Sequence, residues 1–242
     1  MSAVIVTGAA SGLGAAITER LIGSGFMVIG VDVDSDGLDQ AGAAGGDSFV
    51  GFPCDVTDEA TIGDVFDRIG ALDHSVTGLV NSAGIGGEFG DVTKTTPDQW
   101  RLTLEVNLTG AFLVSRATVP LMRRSGGGSI VHVSSQLGMV GAVGSPAYSA
   151  SKGGLIALGR SMAIDHAPDR IRVNVICPGP MDTPMFRSSS GPDNLDALVT
   201  NKIPWGRIGR PSEVAALVEF LMRGDAEFIT GAVIPIDGGW TA

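Results

Sequence analysis

Seven short runs in this sequence are nearly continuous in apolar, largely β-branched residues: Ala3–Thr7, Phe26–Asp32, Ser48–Pro53, Gly78–Asn81, Ser129–Ser134, Arg172–Ile176 and Ala232–Ile236. Segments of helical pattern separate them, and that alternation constrains the fold more than any other feature. Strands apolar on both sides need cover on both sides. Strands that return in the same direction need long crossovers, usually helices. The expected class is therefore α/β, a doubly wound parallel sheet of about seven strands flanked by helices. With 242 residues, 44% hydrophobic and 17% charged, the chain has enough apolar material for one compact domain. No stretch rich in Pro, Ser or charge marks a linker, so residues 1–242 read as a single domain.

Helix starts are legible between the strands. Thr96-Pro97-Asp98-Gln99 combines an N-cap, a proline at the first helical position and a Gln three residues after the cap. The helix it opens is expected to run to about Arg124, where Ser125-Gly126-Gly127-Gly128 stops it. Pro120 is expected to kink or shorten it. Pro211-Ser212-Glu213 opens another helix, with Val214, Leu217, Val218 and Leu221 on one face.

A net charge of −10 argues against a nucleic-acid or anionic-membrane partner. No apolar run reaches the roughly 18 residues needed to span a bilayer, and the N-terminus enters a strand pattern without a leader-like basic segment. Cys54 and Cys177 lie far apart without metal-ligand spacing, which reads as free buried thiols in a reducing, cytoplasmic compartment. His74, His132 and His166 form no cluster, so a zinc alcohol dehydrogenase is excluded. His132, on a strand, reads as a core histidine. Asp32-Val33-Asp34-Ser35-Asp36-Gly37 imitates half of a calcium loop, but its twelfth position is Ala43 where a bidentate Glu is required. Asp34 and Asp36 are better read as turn residues, and no metal site is expected.

Glycine accounts for 36 residues, about twice the usual ~7%. Three of them stand in Thr7-Gly8-Ala9-Ala10-Ser11-Gly12-Leu13-Gly14, between the first strand and a helix. Glycines there permit a tight turn and a close backbone approach to a pyrophosphate, and the helix N-terminus adds its positive dipole end. No Gly-Lys-Ser/Thr follows, so this is not an ATP loop. Asp32 closes the second strand, where a carboxylate accepts hydrogen bonds from ribose hydroxyls and repels a 2′-phosphate. No Arg or Lys lies within 8–14 or 26–40, so NAD is the expected cofactor. Asp55 after the third strand suits an adenine amino group and equally well a helix or turn cap. Asn81-Ser82-Ala83-Gly84 ends the fourth strand in small residues that leave room for a flat ligand.

Tyr148 is the only tyrosine, and Lys152 one of three lysines, stands four positions later. On a helix the two share a face. At an effective dielectric near 20 and ~5 Å, an ammonium stabilises a phenolate by about 3 kcal/mol, on the order of two pKa units. That would bring the phenol towards the range of general acid–base catalysis. Asn107 falls on an apolar helical stripe with Trp100, Leu104, Ala111 and Val114, where its amide must find partners. Ser134 and Ser135 close the fifth strand at the end where ligands bind in open parallel sheets. Strand alternation alone does not choose between them.

In order, these motifs resemble the short-chain dehydrogenase/reductase family over nearly the whole chain. The matching elements are T-G-x-x-x-G-x-G at Thr7–Gly14, Asp32, Asp55, N-x-A-G at Asn81–Gly84, Asn107, the Ser-Ser strand end and Y-x-x-x-K at Tyr148–Lys152. Pro178-Gly179-Pro180-Met181-Asp182-Thr183 and Asp237-Gly238-Gly239 complete the set. Ser82 stands where Asn is commoner, and Met181 where an aliphatic residue is usual. The resemblance implies a Rossmann-type sheet. It also implies an NAD-dependent alcohol dehydrogenase or ketone reductase that transfers hydride between the nicotinamide and a secondary alcohol or ketone. Family spacing selects Ser135 to position the substrate oxygen, Tyr148 as acid/base, Lys152 to hold the nicotinamide ribose and lower the tyrosine pKa, and Asn107 to keep a relay water. Thr183 would contact the carboxamide. Gly8, Ser11, Gly12, Leu13, Gly14, Val33, Val56, Ala83, Gly84, Pro178, Gly179 and Met181 join Asp32, Asp55 and Asn81 in the expected cofactor site, mainly within residues 1–145.

The substrate-covering loop is expected at 184–206, with Met185, Phe186, Leu195, Leu198, Val199 and Trp205 as walls and Gln136, Met139, Val140 and the Gly86–Gly90 loop completing the pocket. Leu195, Leu198 and Val199 would equally seat a short helix. Only Arg187 interrupts the apolar set, which favours an uncharged substrate. The alternatives are a 3-oxoacyl-carrier-protein reductase using NADPH, a non-catalytic dinucleotide-sensing protein on the same fold, and a nucleotide-sugar epimerase or dehydratase, which would need a longer chain. The resemblance also suggests a homotetramer built on the Thr96 and Tyr148 helices. Gly153, Gly154 and Gly159 would serve either such an interface or packing on the sheet.

Overall fold

The apolar runs form one seven-stranded, all-parallel sheet in the order β3-β2-β1-β4-β5-β6-β7. The strands are β1 (Ser2–Thr7), β2 (Met27–Asp32), β3 (Phe49–Pro53), β4 (Ser75–Asn81), β5 (Gly128–Val133), β6 (Ile171–Pro178) and β7 (Val233–Ile236). The computed structural model describes residues 2–189, 199 and 202–242. Every expected strand is present. The largest differences are an earlier start of β4 and a later end of β6. Period-two alternation is hidden inside the continuous runs. In β1, Ala3 and Ile5 join the core under α3 (Glu59–Gly70) and α5 (Gly110–Arg124), with Ile62, Phe66, Val114 and Met122. Val4 and Val6 face the opposite layer, with Ile17 and Leu21 of α1 (Gly12–Gly23) and Val214 and Val218 of a helix at Pro211–Met222.

The remaining helices are α2 (Ser35–Gly45), α4 (Pro97–Leu104), α6 (Pro146–Asp165) and α7 (Pro184–Ser189); the helix at Pro211–Met222 is α8. The Asp34 carboxylate accepts from Gly37 N (3.1 Å) and caps α2, which gives that aspartate the turn role expected of it. Thr96 and Gln99 close their capping box at 3.2 and 2.8 Å.

The helix they open departs from expectation in one respect. It is interrupted at a π-helical turn, Glu105–Thr109, and then continues through Pro120 to Arg124 without being shortened. Pro120 removes one helical hydrogen bond, while its neighbours Val119, Leu121 and Met122 are buried against the core and hold the segment in place. The π-turn sits where Gly110 meets the loop after β3. A Cβ there would lie 2.8 Å from Val56 Cγ2 and 3.0 Å from Val56 O. None of the described helices is long and apolar enough to cross a membrane.

Candidate active site

In the strand order, β1 is followed by β2 and β3 on one side and by β4 on the other. The crevice at the carboxyl ends of β1 and β4 is where open α/β sheets bind ligands. A cleft of about 400 Å³ opens there. Its floor is the glycine turn. Gly8 (φ 69°) donates to Val31 O at 2.9 Å, and a Cβ on it would sit 2.9 Å from Ala83 N. A Cβ on Gly14 would sit 1.9 Å from Gly8 O, so only glycine lets α1 begin directly on the strand end. Ser11, at the N-cap, makes no side-chain cap. The first-turn N–H groups of α1, at Gly12, Leu13 and Gly14, have no intrahelical acceptor. Uncapped and beside the cleft, they suit an anion such as a pyrophosphate.

Asp32 lies at the cleft beside this turn. Its Oδ2 accepts from Ala10 N (2.9 Å) and its Oδ1 from Asp34 N (3.1 Å). Asp55 also lines the cleft. Its hydrogen bonds, from Thr57 N (2.9 Å) and Thr57 Oγ1 (2.8 Å), both use Oδ1, so it forms a turn and still presents a carboxylate edge. Val33, Val56, Ala83 and Gly84 join them in the wall, as does Thr183, whose Cβ is 3.8 Å from where a Gly12 side chain would begin.

At the other end of the cleft are Tyr148 and Lys152, one turn apart on α6. Ser134 and Ser135 have separate duties. Ser134 Oγ donates to the Lys152 backbone carbonyl (2.8 Å), whereas the Ser135 hydroxyl acts on Tyr148 and favours its phenolate. The Lys152 ammonium donates to Val133 O (3.0 Å) and lies 5.7 Å from the centre of the Tyr148 ring. Burial brings the lysine down to about 8, and burial likewise pushes the tyrosine above its usual value, opposed by the Ser135 hydroxyl. The expected lowering of the phenol by its lysine is thus corrected for this cleft. The ammonium sits over the ring, turned to a carbonyl, and desolvation dominates.

Asn107, on the π-turn, holds both backbone groups of Ile85: Ile85 N donates to Oδ1 (2.8 Å) and Nδ2 donates to Ile85 O (2.9 Å). Nδ2 also reaches Ser151 Oγ (3.1 Å), tying the segment after β4 to α6.

Several expected site residues do not line the cleft, Asn107 and Ser135 among them, and the serine that does line it is Ser134. Asn81 turns its amide into the core, towards Ser115 Oγ (3.0 Å) and His132 Nδ1 (3.1 Å). Burial holds His132 down at about 4, which keeps the imidazole neutral. Pro178 and Gly179 end β6 outside the cleft wall, with Gly179 N bonded to Ile236 O (3.0 Å). The Met181 side chain is buried against Gly209. Gln136 is buried beside Gly179, with its Oε1 unpartnered. Of the substrate walls, Met185 lines the cleft and packs 3.7 Å from the Cβ position of Gly86. Phe186 uses its N–H on Thr183 Oγ1 (3.3 Å). Val140 is exposed, and Trp205 is 72% exposed with its N–H on Gly238 O (3.0 Å). Leu195 and Leu198 lie outside the described residues. Val31, Cys54, Ile85, Val106 and Val133 line the cleft without having been expected there. Each is adjacent in sequence to a residue that was, and adjacency is the signal that would have found them.

A family model described as enoyl-(acyl carrier protein) reductase matches residues 8–241. The chain is 39% identical over 241 residues to cis-4-hydroxycyclohexanecarboxylate dehydrogenase of Sinomonas cyclohexanicum, covering 98% of this chain and 96% of that one. It is 36% identical to a 3-oxoacyl-(acyl-carrier-protein) reductase of Thermotoga maritima, at 97% and 96% coverage. The crystal structure of levodione reductase superposes with a TM-score of 0.91 at 31% identity, covering 98% of this chain and 96% of that chain. With this sheet order, this cleft and these relatives, the chain belongs to the short-chain dehydrogenase/reductase family and is an oxidoreductase.

Proposed function

We propose that this protein is an NAD-dependent oxidoreductase that interconverts a secondary alcohol and a ketone, with Tyr148 as the general acid/base. One observation carries the reading: a buried lysine and the tyrosine one turn before it line the same cleft as an uncapped helix N-terminus. A nicotinamide held there supplies or accepts the hydride, and the chain's own residues handle the proton. In reduction, Tyr148 donates its hydroxyl proton to the substrate oxygen as charge develops on it; in oxidation it takes that proton back. Ser135 positions the same oxygen. The Lys152 ammonium has three donors and spends one on Val133 O, leaving two for ribose hydroxyls. Asn107 positions a relay water, and Thr183 contacts the carboxamide.

Asp32 supports NAD over NADP, because a carboxylate fixed at the ribose end repels a 2′-phosphate. The Thermotoga relative makes a carrier-protein ketoreductase using NADPH the second reading, and a non-catalytic dinucleotide sensor is the third. An uncharged substrate is supported by Arg187, whose guanidinium is held by both oxygens of Asp182 at 2.6 and 2.9 Å. A cytoplasmic homotetramer completes the reading. Its contacts would use the exposed Trp100 and Phe112 and not the α6 glycines: Gly154 packs on Leu108 and Gly159 on Val175 of the same chain. Light scattering after size exclusion tests the assembly.

The decisive experiment is Tyr148→Phe, assayed on a panel of ketones and secondary alcohols beside a cofactor titration. Turnover is expected to vanish while the cofactor still binds; near-wild-type turnover overturns the reading. A clear preference of the wild-type protein for NADPH over NADH overturns the Asp32 assignment.

A further inference from the structure

We propose that Gly138, together with Ser134, is a positioning residue that sets where Ser135 stands relative to Tyr148. The inference rests on the catalytic reading of that pair and extends it to groups that touch neither substrate nor cofactor. Ser135 opens a single 3-10 turn, Gln136–Gly138, and its Oγ accepts from Leu137 N at 3.1 Å. That bond occupies a lone pair of Oγ and leaves the hydroxyl proton free for the site. Gly138 fixes where the turn lies. A Cβ there would sit 2.7 Å from Lys152 C, 2.8 Å from Lys152 O and 2.9 Å from Gly153 N. All three are backbone atoms of α6, so no side chain can swing aside. The φ of Gly138 lies outside the left-handed region, so packing alone demands glycine.

Two more bonds hold the same place. Ser134 Oγ donates to Lys152 O (2.8 Å), and the Lys152 ammonium donates to Val133 O (3.0 Å). The end of β5 therefore grips α6 at Lys152 from three sides, one helical turn beyond Tyr148, and Ser135 is enclosed by that grip. A methyl group at 138 must move from 2.7 Å to ordinary contact near 3.4 Å, which parts the turn from α6 by about 0.7 Å. Ser135, carried on that turn, is then displaced from Tyr148, carried on α6.

The test uses Gly138→Ala and Ser134→Ala, each alone and combined with Ser135→Ala, in alcohol oxidation assayed as a function of pH. Gly138→Ala is expected to lower kcat on the order of tenfold. It should also move the pH midpoint upward, because the Ser135 hydroxyl favours the phenolate and would be drawn away from it. In the Ser135→Ala background the same substitution should add less than about twofold. Gly141→Ala, on the same loop with nothing within 4 Å, is the control and should leave both readouts unchanged. Full additivity with Ser135→Ala, or an unmoved pH midpoint, overturns the proposal. If Gly138→Ala does not fold, Ser134→Ala removes one grip without adding volume; its midpoint must still rise, and an unchanged one overturns the proposal equally. Tyr148→Phe separates the two levels. If it retains turnover the catalytic reading itself fails, whereas an inactive Tyr148→Phe with additive Gly138→Ala sinks only this inference.

Discussion

Gly14 and Gly23 stand near the two ends of α1, and the same substitution at each should have opposite results. A Cβ on Gly14 would lie 1.9 Å from Gly8 O and 2.6 Å from Gly8 C. Restoring ordinary contact near 3.4 Å pushes the first turn of α1 back by about 1.5 Å. The N–H groups of Gly12, Leu13 and Gly14 retreat with it. A bond of ~2.9 Å stretched that far passes the ~3.5 Å at which it ceases to count as one. Losing two charge-assisted bonds, at roughly 1.5–3 kcal/mol each, weakens dinucleotide binding by about 10²–10⁴-fold. Gly23 has nothing within 4 Å of its Cβ position. Alanine there should stabilise the helix by up to ~1 kcal/mol and leave binding alone. Each variant would be titrated with NADH by tryptophan quenching and unfolded in urea. If Gly14→Ala binds within about threefold of wild type, the argument that this turn cradles a pyrophosphate on its helix N-terminus is refuted.

Three other outcomes follow from the charges. Lys152 is held down at about 8, so its buried ammonium destabilises the fold at neutral pH; Lys152→Met should abolish turnover yet stabilise by on the order of 1–3 kcal/mol. Because the unfolded lysine keeps its proton up to ~10.5, wild-type stability should rise between about pH 8 and 10.5, and the variant should lack that rise in urea melts. Glu219, mostly buried on α8, accepts from Ser24 Oγ (2.8 Å) and pairs with Arg20 and Arg223, which together hold its carboxyl at about 2. Its contribution is present above the unfolded value near 4.5 and lost as pH falls towards 2, so Glu219→Gln should cost roughly 1–3 kcal/mol at pH 7 and little in strong acid. Burial keeps Tyr148 protonated, so the oxidation rate should climb through the alkaline range; a plateau already complete at pH 6 would contradict this.

The sheet was legible because each strand is apolar on both faces, and the turn after β1 because only glycine permits its contacts. What escaped depends on contacts between distant segments. Pro120 looked like the weak point of its helix, yet the interruption is the π-turn at Glu105–Thr109, where Gly110 meets Val56 across the fold. Strand alternation did not separate Ser134 from Ser135, and the choice of Ser135 rested on family spacing; the structure adds that Ser134 is committed to Lys152 O. The electrostatics of Tyr148 took the opposite sign to that expected from spacing alone. Helical spacing brings Lys152 near the ring but says nothing of Val133 O, which takes the ammonium. Asn81 and Met181 sit in motifs that frame the cleft, but their side chains pack into the core.

The bond from Ala10 N to Asp32 Oδ2 makes the acid at the end of β2 and the glycine turn after β1 a single mechanical unit. That matters to anyone who would re-engineer cofactor choice. Exchanging Asp32 for a small or basic residue removes the repulsive charge, but it also unpins the turn from the end of β2. Tolerance of a 2′-phosphate would then be gained at the expense of grip on every dinucleotide. Asp32→Asn keeps an acceptor for Ala10 while discarding the charge, and is the better starting point for such a redesign.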